Sequence, residues 1–357
     1  MSGGAFNGAF QMGALKFIHD HWNELFPGRP VMKFDIITGV SVGALNGALI
    51  ASNRYVELTD LWERVKNNGV EEIFTSNYID TKSKSETLQF KIRIPWYKQI
   101  ALIIWPPFRN KFFKQLRSLA DNAPLKDKLK TITKASIQTP YRCGIVTMNG
   151  DAPYYGISPE DCLTDKDFQN AILASSAMPI IWTPVKQITK ADGSVIKNTV
   201  DGGVRTVTPL GDAIKFVKDD PGSDYLIVIV NCASYQVDPA SDEAGLDTAN
   251  IAEIALRTAV LTSQNEILND DIAWFLKIND ILDQVKSSGI IVEDYDHITR
   301  RRSGRTKPLK EFEYILIQPD PLVMGDELVA TKPLIERRIA HGEAIADQQF
   351  ISRPVIW

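Results

Sequence analysis

The sequence predicts an α/β fold built on a mostly parallel central sheet. Three observations lead there. Strand-like runs recur at Phe34–Thr38, Gly144–Met148, Tyr225–Val230 and Tyr314–Ile317. Helix-spaced apolar patterns lie between them, at Ala9–Trp22, Leu58–Val65, Asp167–Ala174, Gly211–Val217 and Ile251–Ile278, and such alternation marks a parallel sheet covered by helices. A sharp glycine-flanked turn joins the first strand to a small-residue helix, Val42–Ala51.

Each element follows from its own residues. Gly3–Gly8 is a glycine-rich loop, and Phe10, Leu15, Phe17, Ile18 and Trp22 behind it fall at helical spacing. Phe34–Thr38 carries the β-branched residues of a buried strand. Val42–Ala51 is small enough to pack closely on a sheet. From Thr81 to Arg117 the composition shifts: nine lysines and arginines face one acid, Glu86, with Trp96, Tyr97, Trp105 and Phe108 among the interleaved aromatics. This aromatic and basic insertion is open to two readings, a lid or membrane-contact surface, or aromatics packed on the sheet beneath solvated lysines.

No Pro/Gly/Ser linker divides the 357 residues. One domain over 1–357 is expected, with a core over 2–235, the insertion at 81–117 and a helical and strand extension at 245–357. Hydrophobic residues make up 44% and charged residues 24%, ordinary globular values that let a core form without metals or disulfides. The net charge of −4 argues against a general nucleic-acid binder. Cys143, Cys162 and Cys232 are scattered and lack metal-ligand spacing, so no metal is implied. The N-terminus lacks the basic and apolar regions of a signal peptide. A cytoplasmic location is expected, with peripheral membrane contact left open.

Gly39-Val40-Ser41-Val42-Gly43 sits between strand and helix, the context a nucleophile elbow needs. The helix N-terminus behind Ser41 supplies free amides and the positive end of a dipole. A helix-capping serine is the plainer alternative. Ser2-Gly3-Gly4-Ala5-Phe6-Asn7-Gly8 can turn amides toward an anion, as phosphate loops and oxyanion holes do. It matches neither the dinucleotide fingerprint nor the P-loop, and read alone it is equally a loose terminus. Asp201-Gly202-Gly203 offers an unshielded carboxylate, or simply a turn.

Together these segments resemble the patatin-like phospholipase family, which pairs an N-terminal glycine-rich loop with GxSxG and a distant DGG or DGA. A fourth stretch, Ala174-Ser175-Ser176-Ala177-Met178-Pro179, resembles the family's A-S-x-A-x-P segment. The resemblance covers residues 2–215. It implies a three-layer α/β/α sandwich and a Ser–Asp dyad cleaving acyl esters of lipids, with no cofactor. Ser41 would be the nucleophile and Asp201 the base, and the amides of Gly3, Gly4 and Ala5 would line the oxyanion hole. Gly8, Gly39, Gly43, Gly202 and Gly203 complete the matched motifs. The implied partner is a phospholipid or another acyl-ester lipid; oligomeric state is left undetermined.

Three departures bear on this. Ala5 stands where the family has a third glycine, which a negative φ would accommodate. Asn7 stands where it has Arg or Lys, removing a positive charge near the oxyanion. The family also has a strand before this loop, so a start upstream of Met1, or a truncated version, is expected. A soluble-ester esterase and a catalytically weak lipid-binding module are the rival readings. His297 and His341 follow Ser41 and Asp201 in triad order, but so early an elbow favours the dyad.

Overall fold

The computed structural model describes residues 1–89, 117–218, 220, 224–233, 263–292, 295–296, 301–302 and 309–352. Most of the aromatic and basic insertion, and His297, lie outside the described residues.

The strands are β1 (Ile37–Gly39), β2 (Tyr141–Thr147), β3 (Tyr154–Ile157), β4 (Val185–Thr189), β5 (Val195–Asp201), β6 (Leu226–Val230), β7 (Tyr295–Asp296), β8 (Arg301–Arg302) and β9 (Glu313–Ile317). The expected parallel pairing holds for β1 with β2 and for β6 with β9. The rest corrects the expectation of a mostly parallel sheet: β3 and β5 both run antiparallel to β2, and β4 antiparallel to β5. The sheet is mixed because β2–β3 and β4–β5 are joined by short turns, at 148–153 and 190–194, that leave no room for a crossover helix.

The helices are α1 (Gly8–Asp20), α2 (Trp22–Leu25), α3 (Val42–Ala51), α4 (Tyr55–Asn68), α5 (Ala123–Leu129), α6 (Asp165–Ser175), α7 (Leu210–Val217), α8 (Ser263–Lys286), α9 (Pro321–Met324) and α10 (Lys332–Ser352). β6 and β9 form a two-stranded sheet apart from the five-stranded sheet of β1–β5, and helices cover both faces of it. Val230 packs with Phe10, Ile18 and Phe350 of α1 and α10. Its neighbour Ile229 packs with Val217, Ile272 and Phe275 of α7 and α8. Successive strand residues point to opposite faces, so the architecture is α/β/α. α1 and α10 cross so closely that a Cβ on Gly13 would collide with the Ile339 carbonyl, and one on Gly342 with that of Phe10.

Met1–Gly3 lies between β1 and β6. The Met1 ammonium donates to Thr38 O at 2.9 Å, Val40 N to Met1 O at 3.3 Å and Ser2 N to Val230 O at 3.1 Å. Beside Met1 a cavity of about 150 Å³ opens between the two strands, lined by Ile18, Trp22, Ile36, Leu226 and Val228.

The register on β2 is what assembles the site. Gly39 of β1 pairs with Cys143, and Asp201 of β5 pairs with Ile145. β3 pairs with both Cys143 and Ile145 and so occupies β2's other edge. β1 and β5 therefore share one edge and run head-on toward each other, their C-terminal ends separated by Gly144. Glycine is required at that seam: a Cβ there would stand 2.7 Å from Val40 Cγ2.

Candidate active site

Ser41 leaves β1 and opens α3. Its backbone stands at φ 54°, ψ −125°, a conformation costly for an L-residue that recurs where a side chain must be thrust out of a turn. The flanking glycines make the turn possible. A Cβ on Gly39 would collide with the Gly43 carbonyl, and one on Gly43 would stand 2.5 Å from Ser2 O. The elbow is held from the side by the Ala174–Pro179 stretch. Ser41 N donates to Ser175 Oγ at 3.0 Å, and Ser176 Oγ donates to Ser41 O at 3.3 Å.

Asp201 ends β5. It is completely buried and tied at both ends, its N–H donating to Ala177 O at 3.0 Å and its Oδ1 accepting from Gly203 N at 2.8 Å. Oδ2 is buried with no partner. The Ser41 side chain is near enough to act on this carboxyl and favours its charged form. Burial outweighs the Gly203 and Ser41 contacts and pushes the carboxyl up to about 7, so the group exchanges protons near neutrality.

The glycine-rich loop closes over the pair. Gly3 approaches within van der Waals contact of Ser41, with room for a Cβ only 3.3 Å from Ser41 Cβ. Its amide, however, donates to Val207 O at 3.0 Å. Gly3 thus shapes the loop, and the amides left to face an anion are those of Gly4 and Ala5, which have no acceptor among the described residues. Gly4 stands at φ +143° and Ala5 at φ +43°, so Ala5 does not take the negative φ expected of it. Left-handed geometry at an L-residue costs about 1–2 kcal/mol, and here it turns the loop into the one-turn helix Ala5–Asn7. Asn7 is buried with its Oδ1 unpartnered. Gly8 packs against Val42 where any Cβ would collide.

A cavity of about 50 Å³ opens at Ser41 between α3, α4 and the loop, lined almost wholly by apolar side chains that include Phe6, Leu45, Leu61, Trp62 and Trp182. The described histidines are engaged elsewhere. His341 accepts from Asp320 N at 2.9 Å, His19 stacks on Tyr55 and His21 on Phe17. Sequence reasoning missed three participants: Val207, which occupies the Gly3 amide, and Glu327, whose carbonyl accepts from Phe6 N at 2.9 Å, and Arg338 behind it. None carries a motif, and only the fold brings them to the loop.

A strained serine at a helix N-terminus, a buried carboxyl beside it, loop amides without an acceptor among the described residues and an apolar cavity together define a candidate active site on an α/β/α fold. The family follows from comparison. The model of the patatin-like phospholipases matches residues 1–214, and the chain belongs to that family. Among curated proteins no sequence matches it. Among solved structures it is similar to VipD from Legionella pneumophila, at 12% identity and a TM-score of 0.37, over 98% of this chain and 66% of that one. The chain thus spans less than two thirds of VipD's length.

Proposed function

We propose that the protein hydrolyses carboxylic esters of acyl lipids, phospholipids among them, through a Ser41–Asp201 dyad. The observation that carries this reading is the head-on meeting of β1 and β5 at Gly144, which sets a buried, readily protonated carboxyl beside the elbow serine.

Ser41 Oγ attacks the ester carbonyl carbon while its proton passes to Asp201. The resulting oxyanion is met by the N–H groups of Gly4 and Ala5 and by the positive end of α3. As the tetrahedral intermediate collapses, the C–O bond to the alcohol breaks and Asp201 returns the proton to the leaving oxygen. Water then attacks the acyl-serine, Asp201 again takes the proton, and Ser41 recovers it as the fatty acid departs. The apolar cavity at Ser41 suits the first carbons of an acyl chain, and its low-dielectric lining strengthens electrostatic contacts beside it.

The test is release of fatty acid from mixed phospholipid vesicles by the wild type, Ser41→Ala and Asp201→Asn. Each variant should lose about 10³-fold or more, because members of one catalytic unit fail together. Release that survives Ser41→Ala would assign the chemistry to another nucleophile.

A further inference from the structure

Behind the small cavity at Ser41 lies a larger one. It measures about 230 Å³ against about 50 Å³ and sits between α3, α4 and α5. Leu45, Leu61 and Leu125 line both cavities, one leucine from each of the three helices. All three are buried. They form a leucine partition between a near chamber at the serine and a far chamber behind it.

α3 supplies the path from one to the other. Ser41, Leu45 and Leu49 fall at i, i+4 and i+8, on one face of the helix that the serine opens. Ser41 and Leu45 line the near chamber, Leu45 and Leu49 the far one. At about 1.5 Å of rise per residue, Leu49 stands about 12 Å along the axis from Ser41, a span that a butyryl group does not cover and a dodecanoyl group does. Leu129 and Ile132 extend the apolar lining of the far chamber. Its rim is charged. Arg64 of α4 and Lys128 of α5 both reach Glu72, at 3.8 and 2.9 Å, and burying charges against an apolar tail costs free energy. The rim therefore sets where a tail stops.

We propose that the two chambers take one acyl chain, with its first carbons at Ser41 and its tail behind the parted leucines, so that the site prefers esters of medium-length and longer fatty acids. Each methylene moved out of water is worth roughly fourfold in affinity, which rewards the parting of the leucines only when the chain is long enough to fill the far chamber. The preference in hydrolysis rests on the Ser41–Asp201 reading above; the binding of the chain does not.

The experiment measures kcat/KM for p-nitrophenyl dodecanoate and p-nitrophenyl butyrate in the wild type, Leu49→Phe, Thr131→Trp and Leu61→Ala. Thr131 is exposed and lines the far chamber, so a tryptophan there fills it from the rim and keeps the test decisive should Leu49→Phe not fold. The dodecanoate-to-butyrate ratio falls at least about 10-fold in the two filling variants and rises in Leu61→Ala, which opens the partition. A merely structural loss lowers both esters together and leaves the ratio unmoved, and a ratio unmoved in Thr131→Trp overturns the proposal. Calorimetry reads the same preference without turnover. Ser41→Ala binds dodecanoate at least about 10-fold more tightly than butyrate, and adding Thr131→Trp removes the difference; a difference that survives it places the chain elsewhere and overturns the proposal. Hydrolysis that persists in Ser41→Ala, with the binding preference intact, removes the dyad reading and leaves the two chambers standing. Hydrolysis abolished by Ser41→Ala, with neither ratio nor binding moved by Thr131→Trp, removes only the chambers.

Discussion

Gly202 rests against Gly144 so closely that a Cβ on Gly202 would collide with the Gly144 carbonyl. The contact closes the gap between β5 and the end of β1, and with it the gap between Asp201 and Ser41. Gly202→Ala should therefore push β5 back along β2. Activity should fall at least about 10²-fold, as displacements near 1 Å do at catalytic centres, and stability should fall by about 1–3 kcal/mol from overpacking. Steady-state kinetics and urea unfolding check both. Full activity in Gly202→Ala would mean that the strand ends need not touch.

The raised Asp201 carboxyl ties activity and stability to pH in opposite senses. Its folded pKa, about 7, exceeds that of an unfolded aspartate, ~3.9. Between those values the folded state holds a proton that the unfolded chain has released. Stability contributed by this group is therefore fully present at low pH and is lost as pH rises toward 7. With Asp201 as the proposed base, activity is expected to rise over the same range. Asp201→Asn should melt close to the wild type at pH 4 and clearly above it at pH 8, while remaining inactive at both. Equal melting temperatures at pH 8 would contradict a strained, desolvated carboxylate.

Beneath the elbow, Asn46 joins three helices. It is fully buried, donates to Gln11 Oε1 at 3.0 Å and accepts from Trp62 Nε1 at 3.1 Å. Gln11 in turn donates to Ser2 O at 2.9 Å and so holds the start of the glycine-rich loop. Asn46→Ala would leave two buried polar atoms unpaired. The expected loss is about 2–4 kcal/mol, read as a lower urea midpoint, with reduced kcat because the loop loosens.

Ala5 offers a test of the proposed oxyanion loop that leaves Ser41 and Asp201 in place. At φ +43°, Ala5→Gly relieves backbone strain while adding freedom to the unfolded chain, and the two effects nearly offset. Stability should change by less than about 1 kcal/mol and activity should persist. Ala5→Val meets the same φ with a β-branched side chain and should lose both. An active, stable Ala5→Val would place the catalytic amides elsewhere.

Much of the fold was legible because it is local. The elbow needs a strand, a small residue on either side and a helix, and 37–51 encodes all of these in one run. The helix Val42–Ala51 falls where its pattern puts it, and the strands Leu226–Val230 and Glu313–Ile317 fall within a residue of the expected Tyr225–Val230 and Tyr314–Ile317. β3, β4 and β5 were not legible as strands. Their residues are half exposed and polar in alternation, as in Val195-Ile196-Lys197-Asn198, so they lack the continuous apolar run of a buried parallel strand.

What the sequence determined by itself is the set of candidate groups, Ser41, Asp201 and a loop rich in glycine, because each motif is written in adjacent residues. Their assembly belongs to the tertiary structure. Only pairing on β2 brings Ser41 and Asp201, 160 positions apart, to either side of Gly144. Only packing shows that the Gly3 amide is taken by Val207, and that Arg338 and Glu327 stand behind the loop. Burial is a property of everything that surrounds a residue, and so the rise of the Asp201 carboxyl to about 7 could not be read from the three letters around it.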